Sequence, residues 1–156
     1  RSHGEDGERL VIENIDIGSV NLAGRDLSGA SILGVRLGAA NLFGARLCLA
    51  DFTGSDLSRA NLANADLAGA RFDRCNLRGA NLGRANLDPT EMRDEQGIAT
   101  GRFLATSLVD ADLSDVNFTD ARLRDANLTN ANLTGATLNR AHLDNANFSG
   151  TGITAP

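Results

Sequence analysis

The chain has no tryptophan and no tyrosine, a single methionine, two prolines, two cysteines and two histidines. Without Trp and Tyr, recognition built on large amphipathic aromatic anchors is nearly excluded. Two cysteines are too few for a disulfide framework, and neither stands in a CxxC or His-rich context that would suggest zinc. Lysine is also missing: all 15 basic residues are arginine, set against 20 acidic ones, for a formal charge of −5 and a pI near 4.9. A protein that binds the phosphate backbone carries a basic stripe, so direct nucleic-acid binding is not expected. No run of 18 apolar residues occurs, which leaves nothing to span a bilayer as a helix. The first nine residues are polar and lack the apolar core of a signal peptide. The compartment is read as cytoplasmic, with the periplasm or an organelle lumen left open.

What is abundant is Leu, Ala, Asn, Asp and 17 Gly, and their order has a period of five. From Ile12 to Leu87 a large apolar residue recurs at every fifth position, sixteen times in succession. A second run of eleven extends from Phe103 to Ile153, making twenty-seven, with the register slipping by one between the runs. Two residues before most of the large residues stands a small one, as at Ala40, Ala60, Ala65 and Ala80, and between them Asn or Asp dominates, as at Asn41, Asp51, Asn61 and Asp66. Neither the 3.6-residue period of a helix nor the two-residue period of a long strand holds such a pattern on one line. A short extended piece followed by a corner does. The large residue and the small one two before it then point inward. The remaining positions, rich in Asn, Asp, Gly and Ser, suit the corners.

These repeats resemble the pentapeptide-repeat family, with its A(D/N)LXX consensus. The resemblance implies an all-β right-handed quadrilateral β-helix with four repeats per coil. Over residues 10–153 that amounts to nearly seven coils and, at roughly 4.8 Å per coil, a rod about 33 Å long. Residues 1–9 are read as a disordered N-terminal segment, 88–102 as an insertion and 154–156 as a tail.

Within the insertion, Asp88 suits a helix N-cap, Pro89 the first helical position, Glu91 the far side of a capping box and Gly97 the C-terminal stop. The pattern predicts a short helix over 89–96; the alternative is one bulged residue within a continuing coil, with Met92 in the old register and Ile98 in the new. Met92, Asp94 and Glu95 are the partner contacts this insertion would offer. Phe43 and Leu49, apolar at outward positions, are the other candidates. Arg25 occupies an inward slot, which fits an end coil loose enough for its guanidinium to reach solvent. Cys75 falls in an inward small slot, Cys48 faces out, and the two belong to opposite faces, so no internal disulfide is expected.

Catalysis needs groups that converge in a concavity, and a filled β-helix offers none. No catalytic, cofactor-binding or metal-ligating set is expected; the histidines are His3, in the polar start, and His142, in an outward slot. The reading is therefore a non-enzymatic interaction scaffold whose protein partner the sequence does not name. Resemblance to gyrase-protecting members implies the alternative, a DNA mimic that binds a topoisomerase, for which a long acidic stripe would be required. Arginines such as Arg36, Arg46, Arg59, Arg71 and Arg84 interrupt the faces. Those members also imply a homodimer through the C-terminal end of the rod, with Leu143, Phe148 and Ile153 as its contacts.

Overall fold

The computed structural model describes residues 9–153; the expectations for residues 1–8, with His3, and for 154–156 lie outside the described residues. Parallel backbone pairings join residues twenty apart, first between strands β1 (Val11–Glu13) and β2 (Ser31–Leu33), then through single rungs. A rung of one residue on each side, a corner every five residues and a return after twenty make a four-sided coil. The first face stacks Val11, Ser31, Asp51, Arg71, Ser107, Asn127 and Asn147. The second stacks Asp16, Arg36, Asp56, Asn76, Asp112 and Asn132, and the third Asn21, Asn41, Asn61, Asn81, Asn117 and Thr137. The fourth stacks Asp26, Arg46, Asp66, Asn86, Arg122 and His142.

Most corners are built the same way. The carbonyl of the large inward residue accepts from the amide three residues on, as in Ala45 N to Leu42 O at 3.0 Å, and the residue before that amide has positive φ. This is a type II turn, whose third position favours Gly. Leu49 (φ 60°) and Arg59 (φ 58°) adopt it nonetheless. They are held by the coil-to-coil ladder, in which Leu49 N donates to Ala68 O at 3.0 Å and Arg59 N to Arg78 O at 2.9 Å. The preceding Asn or Asp closes the other half of the corner, as where the Asn41 carboxamide accepts from Phe43 N at 3.2 Å. Local turn chemistry and ladder bonding thus agree wherever Asn or Asp stands in that slot.

The interior is filled as the period predicts. Leu37, Leu42, Leu47, Leu57, Leu62 and Leu67 are buried, with Ala40, Ala45, Ala50, Ala60, Ala65 and Ala70 in the small slots between them. The Phe52 and Phe72 rings, one coil apart on the first face, stack at 5.1 Å. Where a polar residue takes a small slot it bonds inside the wall: Ser55 Oγ donates to Ile32 O at 2.8 Å and accepts from Val35 N at 3.0 Å. The first coil is looser. Leu10, Ile12, Ile17, Leu22 and Leu27 are only partly buried, and Arg25 is exposed as that looseness requires. An apolar space of about 100 Å³ opens beside them and reaches Phe52.

The insertion differs from expectation. No helix forms over 89–96, and none forms anywhere among the described residues. The segment is an antiparallel hairpin of β3 (Thr90–Arg93) and β4 (Ala99–Leu104). Across it the stacking partner lies 36 residues ahead instead of 20, as between Arg71 and Ser107, so sixteen residues, 90–105, stand outside the coils. Sixteen is one more than a multiple of five, which is the origin of the slipped register. Phe103, counted above as the first inward residue of the second run, is therefore no core residue but lies on β4 and is 68% exposed. The interior resumes at Leu108. Pro89 explains why the chain leaves here. It occupies the corner position that elsewhere has positive φ, and its ring fixes φ near −65°, so the type II turn cannot form.

Candidate functional site

The hairpin tip is closed by Asp94, whose carboxylate accepts from the amides of Gln96 at 3.0 Å and Ile98 at 2.8 Å. Gly97 has φ 76°, and its carbonyl accepts from the Arg93 guanidinium at 2.8 Å. Asp94 is thus a turn residue first, while Glu95 stands exposed beside it. Cross-strand bonds continue downward from Thr100 Oγ1 to Met92 O at 2.8 Å and from Gly101 N to Glu91 Oε1 at 3.0 Å. Every residue of β4 is exposed, and the apolar surface includes Ile98 (63% exposed), Phe103 and Leu104, with Met92 on β3.

The hairpin base meets the body at the corner between the fourth and first faces. A Cβ placed on Gly69 (φ 67°) would lie 2.6 Å from Thr90 Cγ2, 3.0 Å from Leu49 Cδ2 and 3.2 Å from Leu104 O. Only glycine fits there, and the same crowding shows that Leu49 and the hairpin base share one surface. The outward-pointing Ala68 is buried beneath it. Of the contacts expected from sequence, the structure brings Leu49 and the Met92 strand to one corner. Phe43 is exposed but belongs to the third face, a face's width from Leu49. At the far end Phe148 is itself buried, Leu143 is half-buried and Ile153 is exposed.

On its other side the hairpin overhangs a cleft of about 770 Å³, lined by Phe103 above and by Asp88, Arg122, Arg124, Asp125 and Asp144 on the fourth face. Asp88, buried, accepts from Arg122 Nε at 2.7 Å, from Arg124 Nε at 3.1 Å and Nη2 at 2.6 Å, and from Arg124 N at 3.1 Å. Across the corner Asp73 plays the same part, accepting from the Ser107 hydroxyl, from Val109 N at 3.2 Å and from Arg71 Nη2 at 2.9 Å. The reason lies in the next coil, where Arg122 stands in the Asn/Asp slot with no acceptor to offer and Ser107 turns its hydroxyl to Asp73, so neither accepts from the amide two residues on. The carboxylates below supply the missing acceptors. For both, burial pushes the carboxyl up, but the bonds from Arg124 and Arg122 at Asp88, and from Ser107, Arg71 and Val109 at Asp73, outweigh it and hold each below its ordinary range. The stability they contribute is accordingly complete above about pH 4 and lost as pH falls through their folded values.

The thiols are unsuited to reaction. Burial raises Cys75 to about 12, and its Sγ donates to Phe52 O; burial and then the Asp66 carboxylate raise half-buried Cys48 to about 11. Among the described residues, no group of three or more His, Cys, Asp and Glu side chains could hold a metal ion, and no helix is long and apolar enough to cross a membrane.

A model of pentapeptide repeats matches residues 30–62, 55–94 and 106–151 in eight copies, with its gap falling inside the hairpin. The chain belongs to the pentapeptide-repeat family. Membership carries with it the right-handed β-helix that the resemblance implied. Solved pentapeptide-repeat proteins are similar to it. HetL from the cyanobacterium Nostoc sp. strain PCC 7120, a protein involved in heterocyst differentiation regulation, is 33% identical over 95% of this chain and 73% of its own, with a TM-score of 0.44. Rfr23 from the cyanobacterium Cyanothece 51142 is 21% identical over 88% and 86%, with a TM-score of 0.46. QnrB1, a plasmid-mediated fluoroquinolone resistance protein, is 16% identical over 94% and 86%, also with a TM-score of 0.46. No curated protein matches the sequence.

Phe103, Ile98, Leu104 and the Asp88–Arg122–Arg124 cluster escaped the sequence reading. The one available signal was the odd spacing of the two runs, which marks an insertion but not its conformation.

Proposed function

We propose that this pentapeptide-repeat protein is a non-enzymatic interaction scaffold and that it meets a protein partner through the hairpin and the adjoining Leu49 corner. The observation that carries this reading is the exposure of four large apolar side chains, Met92, Ile98, Phe103 and Leu104, on and beside the strands of an element that leaves a filled coil. Apolar residues on a projecting strand contribute nothing to the core, and their surface leaves water only when something covers it. The coils beneath act as a rigid mount, since a stacked repeat resists local bending.

The topoisomerase-directed alternative draws less support. Acids and arginines alternate from coil to coil, as in Asp26–Arg46 (3.9 Å), Arg78–Asp115 (3.8 Å) and the Arg84–Asp120–Arg140 stack (4.0 and 2.6 Å). Asp110, Asp115, Asp120 and Asp125 occupy the four corners of one coil, a band around the rod rather than a stripe along it. In a supercoiling assay the protein is therefore expected to leave DNA gyrase unaffected at every concentration; protection or inhibition would restore the alternative.

The scaffold reading is tested by deleting 90–105 together with Pro89→Gly, which restores a twenty-residue step and a residue able to take positive φ. Thermal melting should survive, because the ladder closes. A partner retained by the wild-type protein from host extract should be lost from the variant. Equal retention by both would place the contact elsewhere on the rod.

A further inference from the structure

Both roots of the hairpin are pinned by side chains in addition to the coil ladder, which runs through Leu87 N to Arg122 O at 2.7 Å and Ser107 N to Ala70 O at 3.0 Å. On the exit side Asp88, next to Pro89, holds two guanidiniums and a backbone amide of the following coil, and its own amide donates to Asn86 Oδ1 at 3.2 Å. On the return side the fully buried Thr106 accepts from Gly69 N and donates to Leu67 O, both at 3.1 Å. One residue later, Ser107 Oγ donates to Asp73. A sixteen-residue excursion left to itself would be a mobile loop, since a lone two-stranded hairpin is marginal in water.

We propose that Asp88 and Thr106 are positioning residues that hold the hairpin as a rigid, preorganised arm at a set inclination over the cleft. The proposal rests on the reading of the hairpin as a contact surface for its purpose, though not for its test. An arm ordered in advance spares the partner the entropic cost of ordering it. Asp88 suits the role because its bonds fix the chain two residues before the excursion to the coil above, while Thr106 fixes the residue just after it to the coil below. Phe103 then projects over Arg122, Arg124, Asp125 and Asp144 rather than collapsing onto them.

The test is backbone amide relaxation on the full chain. In the wild-type protein, order parameters at Met92, Arg102 and Phe103 should match the coils, at about 0.85, and in Asp88→Asn they should fall below about 0.6 while residues 30–69 stay unchanged. Thr106→Val, which keeps shape and burial but removes both hydroxyl bonds, should loosen the same residues and serves alone if Asp88→Asn does not fold. Asp88→Glu should recover part of the wild-type rigidity. A hairpin equally rigid in a folded Asp88→Asn or in Thr106→Val overturns the proposal. So does loosening that spreads equally through 106–153, which would make these residues fasteners of the stack alone. Failure of partner retention in the deletion variant would leave these order parameters untouched, so the two readings fail separately.

Discussion

Phe72→Ala is expected to destabilise the protein by about 3–5 kcal/mol. Phe72 is fully buried, its ring stacks on Phe52 at an interplanar angle of 3°, and the coils on either side close the space around it. Deleting the ring removes its apolar contacts and its stacking partner, and the ladder prevents the walls from collapsing into the void. Phe52→Ala should cost less. Phe52 already borders the apolar space at the loose first coil, where Ile12, Ile17 and Leu22 are free to move in. Denaturant unfolding of the two variants should give midpoints in that order. A reversed order would mean that the interior is less tightly closed at Phe72 than its burial implies.

Ala65→Leu should destabilise by roughly 1–3 kcal/mol or more through overpacking. Ala65 is 1% exposed and stacks between Ala45 and Ala85 in a column of small residues on the fourth face. The inward Leu67 stands on the same short segment, so a second large side chain has no space unless the wall bows and ladder bonds such as Asp66 N to Ala45 O at 2.9 Å lengthen. Ala63→Leu, two residues away at an outward position, is the control and should stay within about 0.5 kcal/mol. A circular-dichroism melt in which the two substitutions behave alike would contradict the inward assignment of the small slot.

How far the molecule was legible depended on whether each feature repeats. The corner chemistry could be read because Asn41, Asn61 and their equivalents each act within two residues along the chain. Arg25 could be read as well, since a charge in an inward slot tolerates only a loose coil. The hairpin could not. Asp88, Pro89, Glu91 and Gly97 satisfy the local preferences of a capped helix, but β3 and β4 are too short and irregular to show an alternation of their own. What decides between the two is position: Asp88 finds Arg122 and Arg124 thirty-four and thirty-six residues away, and Pro89 falls where the coil needs positive φ. Phe103 was misplaced for a related reason, because a residue spaced five before Leu108 fits the period whether or not it lies inside the coil.

The period of five, acting through side-chain direction and corner chemistry, was sufficient to determine a repeated short extended piece and corner with inward columns of large and small residues, and the family resemblance of those repeats implied the four-sided coil. The columns follow from contacts that recur from repeat to repeat. Only the tertiary structure decided what happens at the one place where the repetition stops. There the outcome turned on bonds between residues far apart in sequence, from Asp73 and Asp88 to the next coil and from Thr106 back to Leu67 and Gly69, and these exist only once the coils have stacked.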